Sequence, residues 1–318
     1  MIRRALFASL AAALLALPAR AWDPPGHMLV AQIACDQLKP TTKAALDAAL
    51  ARFNQKEHAS YDAIIAACWM DDIRSRTKEY NAWHYVDLPF TADGLPLPDG
   101  SPATPNVIWG IQQCEAILAG RPDSAIDKDQ ALVMLMHLVG DVHQPLHATG
   151  RPDDAGGNKV KIVNLRDPEA DLLFSKGGNL HWFWDSAYRR VFKDGAATVA
   201  WAGPIYPRER AVEGHKAAEN LVRQQATLLE QKYPPSIRTQ QGDAVSWAKE
   251  SHGFGYTLGY GTLPAPDMSN KITLTAPYVD AARACAEKRI ALAGYRLGAL
   301  LNQYFAPAPA LAPTPAAH

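Results

Sequence analysis

The residues best suited to chemistry are histidines and aspartates set at helical spacing. His137 and Asp141 are four apart, so their side chains project from one face of a helix. Pro145 must end or distort that helix, and His147, just beyond it, is free to aim elsewhere. Three potential ligands within eleven residues, split by a proline, suit two neighbouring metal ions better than one. A second pair with the same spacing is His181 and Asp185. A third group is Asp71, Asp72 and Arg74, followed by His84, Tyr85 and Asp87, and His27 stands near the start. One such pair alone is more often a structural hydrogen bond. Together the groups supply five histidines and three aspartates without a thiolate, the donor set of catalytic Zn²⁺ with open coordination positions. Such ions activate water and polarise phosphoryl oxygens.

The elements that must carry these residues are helical. Apolar stripes recur at Val30, Ile33, Ala34 and Leu38; through 129–144; at Ala218, Leu221, Val222, Leu228 and Leu229; and at Ile290, Ala293, Leu297, Leu300, Leu301 and Tyr304. Strand signal is scarce and is clearest at Lys159–Asn164 after Gly156-Gly157, with Asp171–Phe174 as the expected hairpin partner. Residues 88–106, 202–210 and 262–270 read as loops, and the Ala/Pro-rich stretch 306–318 as a disordered tail. The expected fold is mainly α, a single helical domain over 22–305 with a small β-hairpin.

The first 21 residues have the form of a signal peptide: Arg3 and Arg4, an apolar run from Ala5 to Leu17, and a small-x-small site at Ala19-Arg20-Ala21. The run is shorter than the roughly 20 residues of a membrane span. The expected location is secreted or periplasmic, with no stable membrane association. Removing the leader and its three arginines leaves 29 basic against 32 acidic residues, which excludes a basic nucleic-acid-coating surface. Attraction for a polyanion must then be local. Export permits disulfides, and of the three pairings open to four cysteines, Cys35–Cys68 with Cys114–Cys285 is the expected one.

These pieces resemble the zinc-dependent single-strand nucleases of fungi and plants, in a signal-bearing, bacterial form. The resemblance rests on Trp22 with His27, Trp69-x-Asp71-x-Ile73-Arg74, Trp83-His84-Tyr85-x-Asp87, His137-x3-Asp141 through His147, Asp154 to Asn158, Asn179-x-His181-x3-Asp185 and Trp247-x2-Glu250-Ser251, in family order. It implies a helical fold shared with zinc-dependent phospholipase C and three zinc ions per chain. One would be held by Asp71, His84, His137 and Asp141. A second would share Asp141 and take His27 with the amine and carbonyl of Trp22, a chelate created only when the signal is cut. His147, His181 and Asp185 would hold the third. Six positive charges against three aspartates give a centre of about +3.

The implied activity is endonucleolytic hydrolysis of single-stranded DNA and RNA to 5′-phosphate ends, together with 3′-nucleotidase action, by a monomer. Hydroxide made available by the zinc pair attacks phosphorus, Asp71 and Asp141 organise the metals, and Arg74 stabilises phosphate charge. Tyr85 is the candidate platform for an unstacked base, Asp87 a partner for its edge, and Asn158 a further substrate contact. Asp72 is expected to be a hydrogen-bonded neighbour and His143 a supporting residue. The nearest rival, a zinc-dependent phospholipase C, generally closes its third site with His-x3-Glu, where this chain has His181-x3-Asp185. A non-catalytic zinc-binding protein is the rival of a different class.

Overall fold

The computed structural model describes residues 22–90, 102–121, 125–151, 154–164, 178–188, 211–261, 263 and 271–305. The leader, the tail, most of the 88–106 loop, the 202–210 loop, most of the 262–270 loop and the expected strand Asp171–Phe174 lie outside them.

The described helices are α1 (Pro24–Asp36), α2 (Pro40–Glu57), α3 (Trp69–Asp72), α4 (Val107–Leu118), α5 (Lys128–Asp141), α6 (Leu180–Ser186), α7 (Ala211–Lys232), α8 (Ala244–Phe254) and α9 (Ala276–Tyr304). Their starts follow capping chemistry: Asp23, Asn106, Asp127, Asn179, Asp243 and Thr275 each accept from a backbone N–H in the first turn of the helix that follows. One turn of π-helix, Gly255–Tyr260, continues α8.

Every residue of α5 from Ala131 to Asp141 is buried. A helix apolar on all sides has no solvent face to satisfy and belongs at the centre of a bundle. α1 is nearly as enclosed, buried from Pro25 to Ala34. It lies against α9, where small residues permit the approach: a Cβ on Gly294 would come within 2.6 Å of Ile33, and one on Gly298 within 3.0 Å of Gln37. α9 spans about 43 Å at 1.5 Å per residue and braces α1, α5 and α7.

Two expectations change. In α7 the buried face is Val222, Ala226 and Leu229, spaced i, i+4, i+7, whereas Leu228 lies off that stripe and is 51% exposed. The small sheet is present, but the strand β1 (Ile162–Asn164) pairs in parallel with β2 (Ile272–Leu274), Ile162 opposite Ile272. A parallel pair needs a long connection, so no local hairpin signal could reveal it. The antiparallel neighbour at the start of β1 is an isolated bridge from Lys161 to Asn179, which ties the strand to the first turn of α6. The four cysteines are free thiols, in contrast to the expected disulfides. Cys68 and Cys114 are buried inside the helical packing, each lined by its own neighbours. Burial raises the Cys35 thiol to about 12 and the Cys285 thiol to about 11.

Candidate metal centre

Five elements deliver side chains to one buried region: α1, the short helix α3, the turn Asn81–His84, α5 with the following turn Pro145–His147, and α6. Asp141 is its hub. Its Oδ2 lies 3.0 Å from His84 Nδ1 and 3.1 Å from His137 Nε2, and its Oδ1 lies 3.4 Å from His147 Nδ1 and 3.5 Å from His27 Nε2. The rings of His27 and His137 stack at 3.8 Å. Gly140 allows this, because a Cβ there would meet His27 Nδ1 at 2.9 Å. His147 stacks on His181 at 5.0 Å, and its Nε2 faces Asp185 Oδ1 at 3.6 Å. Three groups of donor atoms converge closely enough to share an ion: His27, His137 and Asp141; Asp71, His84 and His137; and His147, His181 and Asp185.

The surroundings fix which atoms face inward. His137 Nδ1 pairs with Ala67 O at 2.6 Å and His181 Nδ1 with Gly156 O at 2.7 Å, which leaves each Nε2 turned to the cluster. Gln144 Nε2 donates to Asp185 Oδ1 at 2.6 Å while its Oε1 accepts from Leu146 N at 2.5 Å. Gly156 and Gly157, with φ of 62° and 85°, form the left-handed turn that presents the Gly156 carbonyl. Arg74 Nη1 donates to Asp71 Oδ1 at 3.1 Å.

Trp22 is fully buried and its indole Nε1 donates to Gly140 O at 2.8 Å. That places it directly beside His27 and the last turn of α5. Asp23 N donates to Asp185 O at 3.2 Å, and the Asp23 carboxylate accepts from Gly26 N and from the Tyr188 hydroxyl. The start of the described chain is thus tied to both the hub and the third group.

Charge follows the same geometry. Burial would raise the Asp141 carboxyl, but His137, His84 and His147 hold it well below its ordinary range. Burial and the neighbouring His137 push His27 down to about 3, so its ring is neutral and one nitrogen can offer a lone pair. Burial lowers His84 against the opposing pull of Asp141, whereas Asp141 outweighs burial at His137 and raises it. At Asp185 burial prevails over His181 and Gln144 and the carboxyl is raised well above its usual value. His27 Nδ1 and Nε2, His84 Nε2, Asp141 Oδ1 and Asp185 Oδ2 are all buried without a hydrogen-bond partner. Buried polar atoms normally find partners, and unpartnered imidazole and carboxylate atoms aimed at common points fit divalent cations.

The other expected site residues divide. Asp72 turns away to His215 Nε2 at 3.1 Å and to the Tyr61 hydroxyl at 3.0 Å, leaving Asp71 alone to face the cluster. Tyr85 is half-buried and Asp87 exposed on the extended segment after His84, which is held by Val86 N donating to His147 O at 2.7 Å. The Asn158 amide donates to Ala155 O at 2.9 Å, so it closes its own turn. Trp184 is buried and donates to Tyr278.

His143 leaves the cluster. Its Nδ1 pairs with Val139 O at 2.7 Å, and its Nε2 faces Arg296 Nη1 at 2.8 Å. Around it is a network, buried except at Glu250, that was not anticipated from sequence. Arg289 Nε donates to His143 O, Ser251 Oγ donates to Val142 O, and both Arg289 and Arg296 pair with Glu250. These bonds satisfy the carbonyls left open where α5 ends. Glu250 and Ser251 stood out in the sequence, whereas Arg289 and Arg296 sit in an ordinary helical stretch with no local signal.

An S1/P1 nuclease family model matches residues 22–306. The chain belongs to the S1/P1 nuclease family. It is therefore a nuclease, a hydrolase acting on phosphodiester bonds, and the mainly helical fold is that of the family. Among its relatives, Endonuclease 2 of Arabidopsis thaliana is 24% identical over 299 residues, covering 89% of this chain and 90% of that protein. Nuclease S1 of Aspergillus oryzae is 26% identical over 289 residues, covering 88% of this chain and 91% of the relative. Nuclease P1 of Penicillium citrinum is 25% identical over 306 residues, covering 89% and 97%. In this S1/P1 nuclease the His and Asp groups form one continuous centre around Asp141.

Proposed function

We propose that this S1/P1 nuclease is a zinc-dependent endonuclease of single-stranded DNA and RNA, leaving 5′-phosphate ends and acting also on 3′-nucleotides. The observation that carries the reading is the convergence of three His/Asp groups on Asp141, with buried donor atoms that have no partner within the protein. Asp71, His84, His137 and Asp141 would hold one zinc. His27, Asp141 and the α-amine and carbonyl of Trp22 would hold a second after a leader of residues 1–21 is removed on export. His147, His181 and Asp185 would hold the third. When bound, zinc supplies Lewis acidity toward phosphate oxygens and hydroxide near neutral pH.

The protein's own part is orientation and charge. Arg74, held by Asp71, is poised to accept developing charge on phosphate oxygens. Tyr85 offers a ring to an unstacked base, a contact worth about 1–3 kcal/mol that a paired and stacked base cannot make. Asp87 accepts hydrogen bonds from a base edge. Asn158 acts by shaping the Gly156-Gly157 turn. No described helix is long and apolar enough to cross a membrane.

The test is zinc stoichiometry on protein whose N-terminus has been sequenced, with hydrolysis of single-stranded DNA and of phosphatidylcholine assayed side by side. Three zinc ions, Trp22 first, and cleavage of the DNA alone are expected. Cleavage of the lipid would favour a phospholipase, and bound zinc without turnover a metal-binding protein.

A further inference from the structure

Between the hub and the third metal group the chain makes a turn of its own. Asp141 ends α5 and His147 follows Pro145, so no continuous helix fixes the distance between these two donors. The intervening carbonyls are instead held from outside. Ser251 Oγ on α8 donates to Val142 O at 2.5 Å, and Arg289 Nε on α9 donates to His143 O at 3.1 Å. These donors lie 109 and 146 residues away in sequence, so the turn is set by tertiary packing and not by its own residues alone.

One carboxylate stands behind both donors. Glu250 Oε2 accepts from Arg289 Nη1 at 2.9 Å and from Arg296 Nη1 at 2.7 Å, and its Oε1 accepts from Arg296 Nη2 at 2.8 Å. Arg289 Nη2 donates in turn to Ser251 Oγ at 2.7 Å, which leaves the hydroxyl hydrogen directed at Val142 O. The side chains of Arg289 and Arg296 are 1% and 5% exposed, whereas that of Glu250 is 41% exposed. Two buried cations thus share one anion that solvent reaches on its far side. Without that anion the guanidiniums keep their desolvation cost and must lean on other acceptors. The acceptors already in reach belong to His143, whose carbonyl meets Arg289 and whose Nε2 faces Arg296 Nη1 at 2.8 Å. Loss of the Glu250 charge is therefore passed to a residue inside the turn.

We infer that Glu250 is a positioning residue of the metal centre: through Arg289, Arg296 and Ser251 it fixes His147 relative to Asp141, and so the third zinc relative to the hub. The inference rests on the three-zinc reading above. The two donors do not depend on Glu250 equally. Asp141 belongs to the buried helix α5 and shares a face with His137, so the helix upstream of the turn fixes its place. His147 lies downstream of Pro145, and a change in the turn falls on it. The effect of Glu250 is carried by the turn, not by contact with zinc.

The experiment titrates zinc into the chelated, exported protein for wild type, Glu250→Gln, Ser251→Ala and Glu287→Gln, and measures the thermal midpoint of each zinc-free form. Glu287 is the control. It is a buried α9 carboxylate, 1% exposed, that accepts from Lys232 Nζ of α7 at 2.7 Å, so its loss weakens the fold without touching the turn. In Glu250→Gln one zinc binds roughly 10–100-fold more weakly and two bind as in wild type. The weakened zinc is the one absent from His181→Ala. Ser251→Ala, which removes one hydroxyl and keeps both ion pairs of Glu250, weakens the same zinc. Glu287→Gln lowers the midpoint and leaves all three affinities in place. Three wild-type affinities in Glu250→Gln, or an equal loss of one zinc in Glu287→Gln, overturns the positioning role while the three-zinc reading stands. If Glu250→Gln does not fold, Ser251→Ala decides alone, and an unchanged third-site affinity there overturns the role. A wild type that binds fewer than three zinc ions overturns the three-zinc reading, and the inference with it.

Discussion

At the scale of single residues, Asp141 is the group on which the others depend. Both of its oxygens face imidazoles, four in all. Asp141→Asn keeps the shape but removes the charge and one acceptor oxygen. It should lower activity by more than roughly 100-fold, the upper range for loss of a residue that merely orients a ligand, and reduce bound zinc by more than one ion. Atomic emission on dialysed protein together with single-turnover hydrolysis checks both. Gln144→Leu is the contrasting case: it removes the donor that holds Asp185 Oδ1 but no donor from the centre itself. Metal titration should show a roughly 10–100-fold weaker site with the other two unchanged. The Asp141 group was legible from spacing, because i, i+4 on a helix leaves no choice of face. Gln144 was part of the same run, but its role depends on where α6 lies, and no local pattern states that.

At the scale of elements, the ends of α5 and α6 and the Gly156-Gly157 turn decide the geometry. Gly156→Ala would force a left-handed φ on a residue with a Cβ and press that atom to 3.0 Å from Leu146 O. The expected cost is about 1–2 kcal/mol, with the His181 carbonyl acceptor displaced, measurable as a lower unfolding midpoint and weaker zinc binding. The C-terminal turn of α5 depends instead on a neutral His143. Burial, then Arg289 and Arg296, hold this imidazole well below its ordinary value of about 6.5. The unfolded chain takes up that proton near pH 6.5 and the folded chain does not. Stability is therefore intact above about 6.5 and falls as pH drops below it, by up to about 1.4 kcal/mol per unit. Thermal midpoints between pH 7.5 and 4.5 should fall less steeply in His143→Gln, whose amide oxygen can still accept from Arg296. The helices themselves were legible from their apolar stripes and caps. Leu228 misled because a run of two leucines shows only that one face is apolar, not which of the pair belongs to it. The β1–β2 pairing was hidden because its partners are 110 residues apart.

At the scale of the whole molecule, the centre is a bond between distant parts of the chain. Its donors run from His27 to Asp185, and the network behind α5 reaches Arg296. Chelation should therefore abolish hydrolysis and also lower the unfolding midpoint, since a ligand bound only by the native state stabilises it by mass action. Zinc added back should restore both; full activity after thorough metal removal would contradict the metal reading. Protein that retains Ala21 should bind one zinc fewer than protein beginning at Trp22. The distance between the two halves of the α1–α9 seam has a further consequence for how the chain is made. α1 is synthesised first and its principal partner, α9, last, so its apolar faces wait while some 250 residues emerge. His27 rides on α1 and stacks on His137 of α5, so a helix whose longest seam is completed last also carries one side of the buried His and Asp cluster.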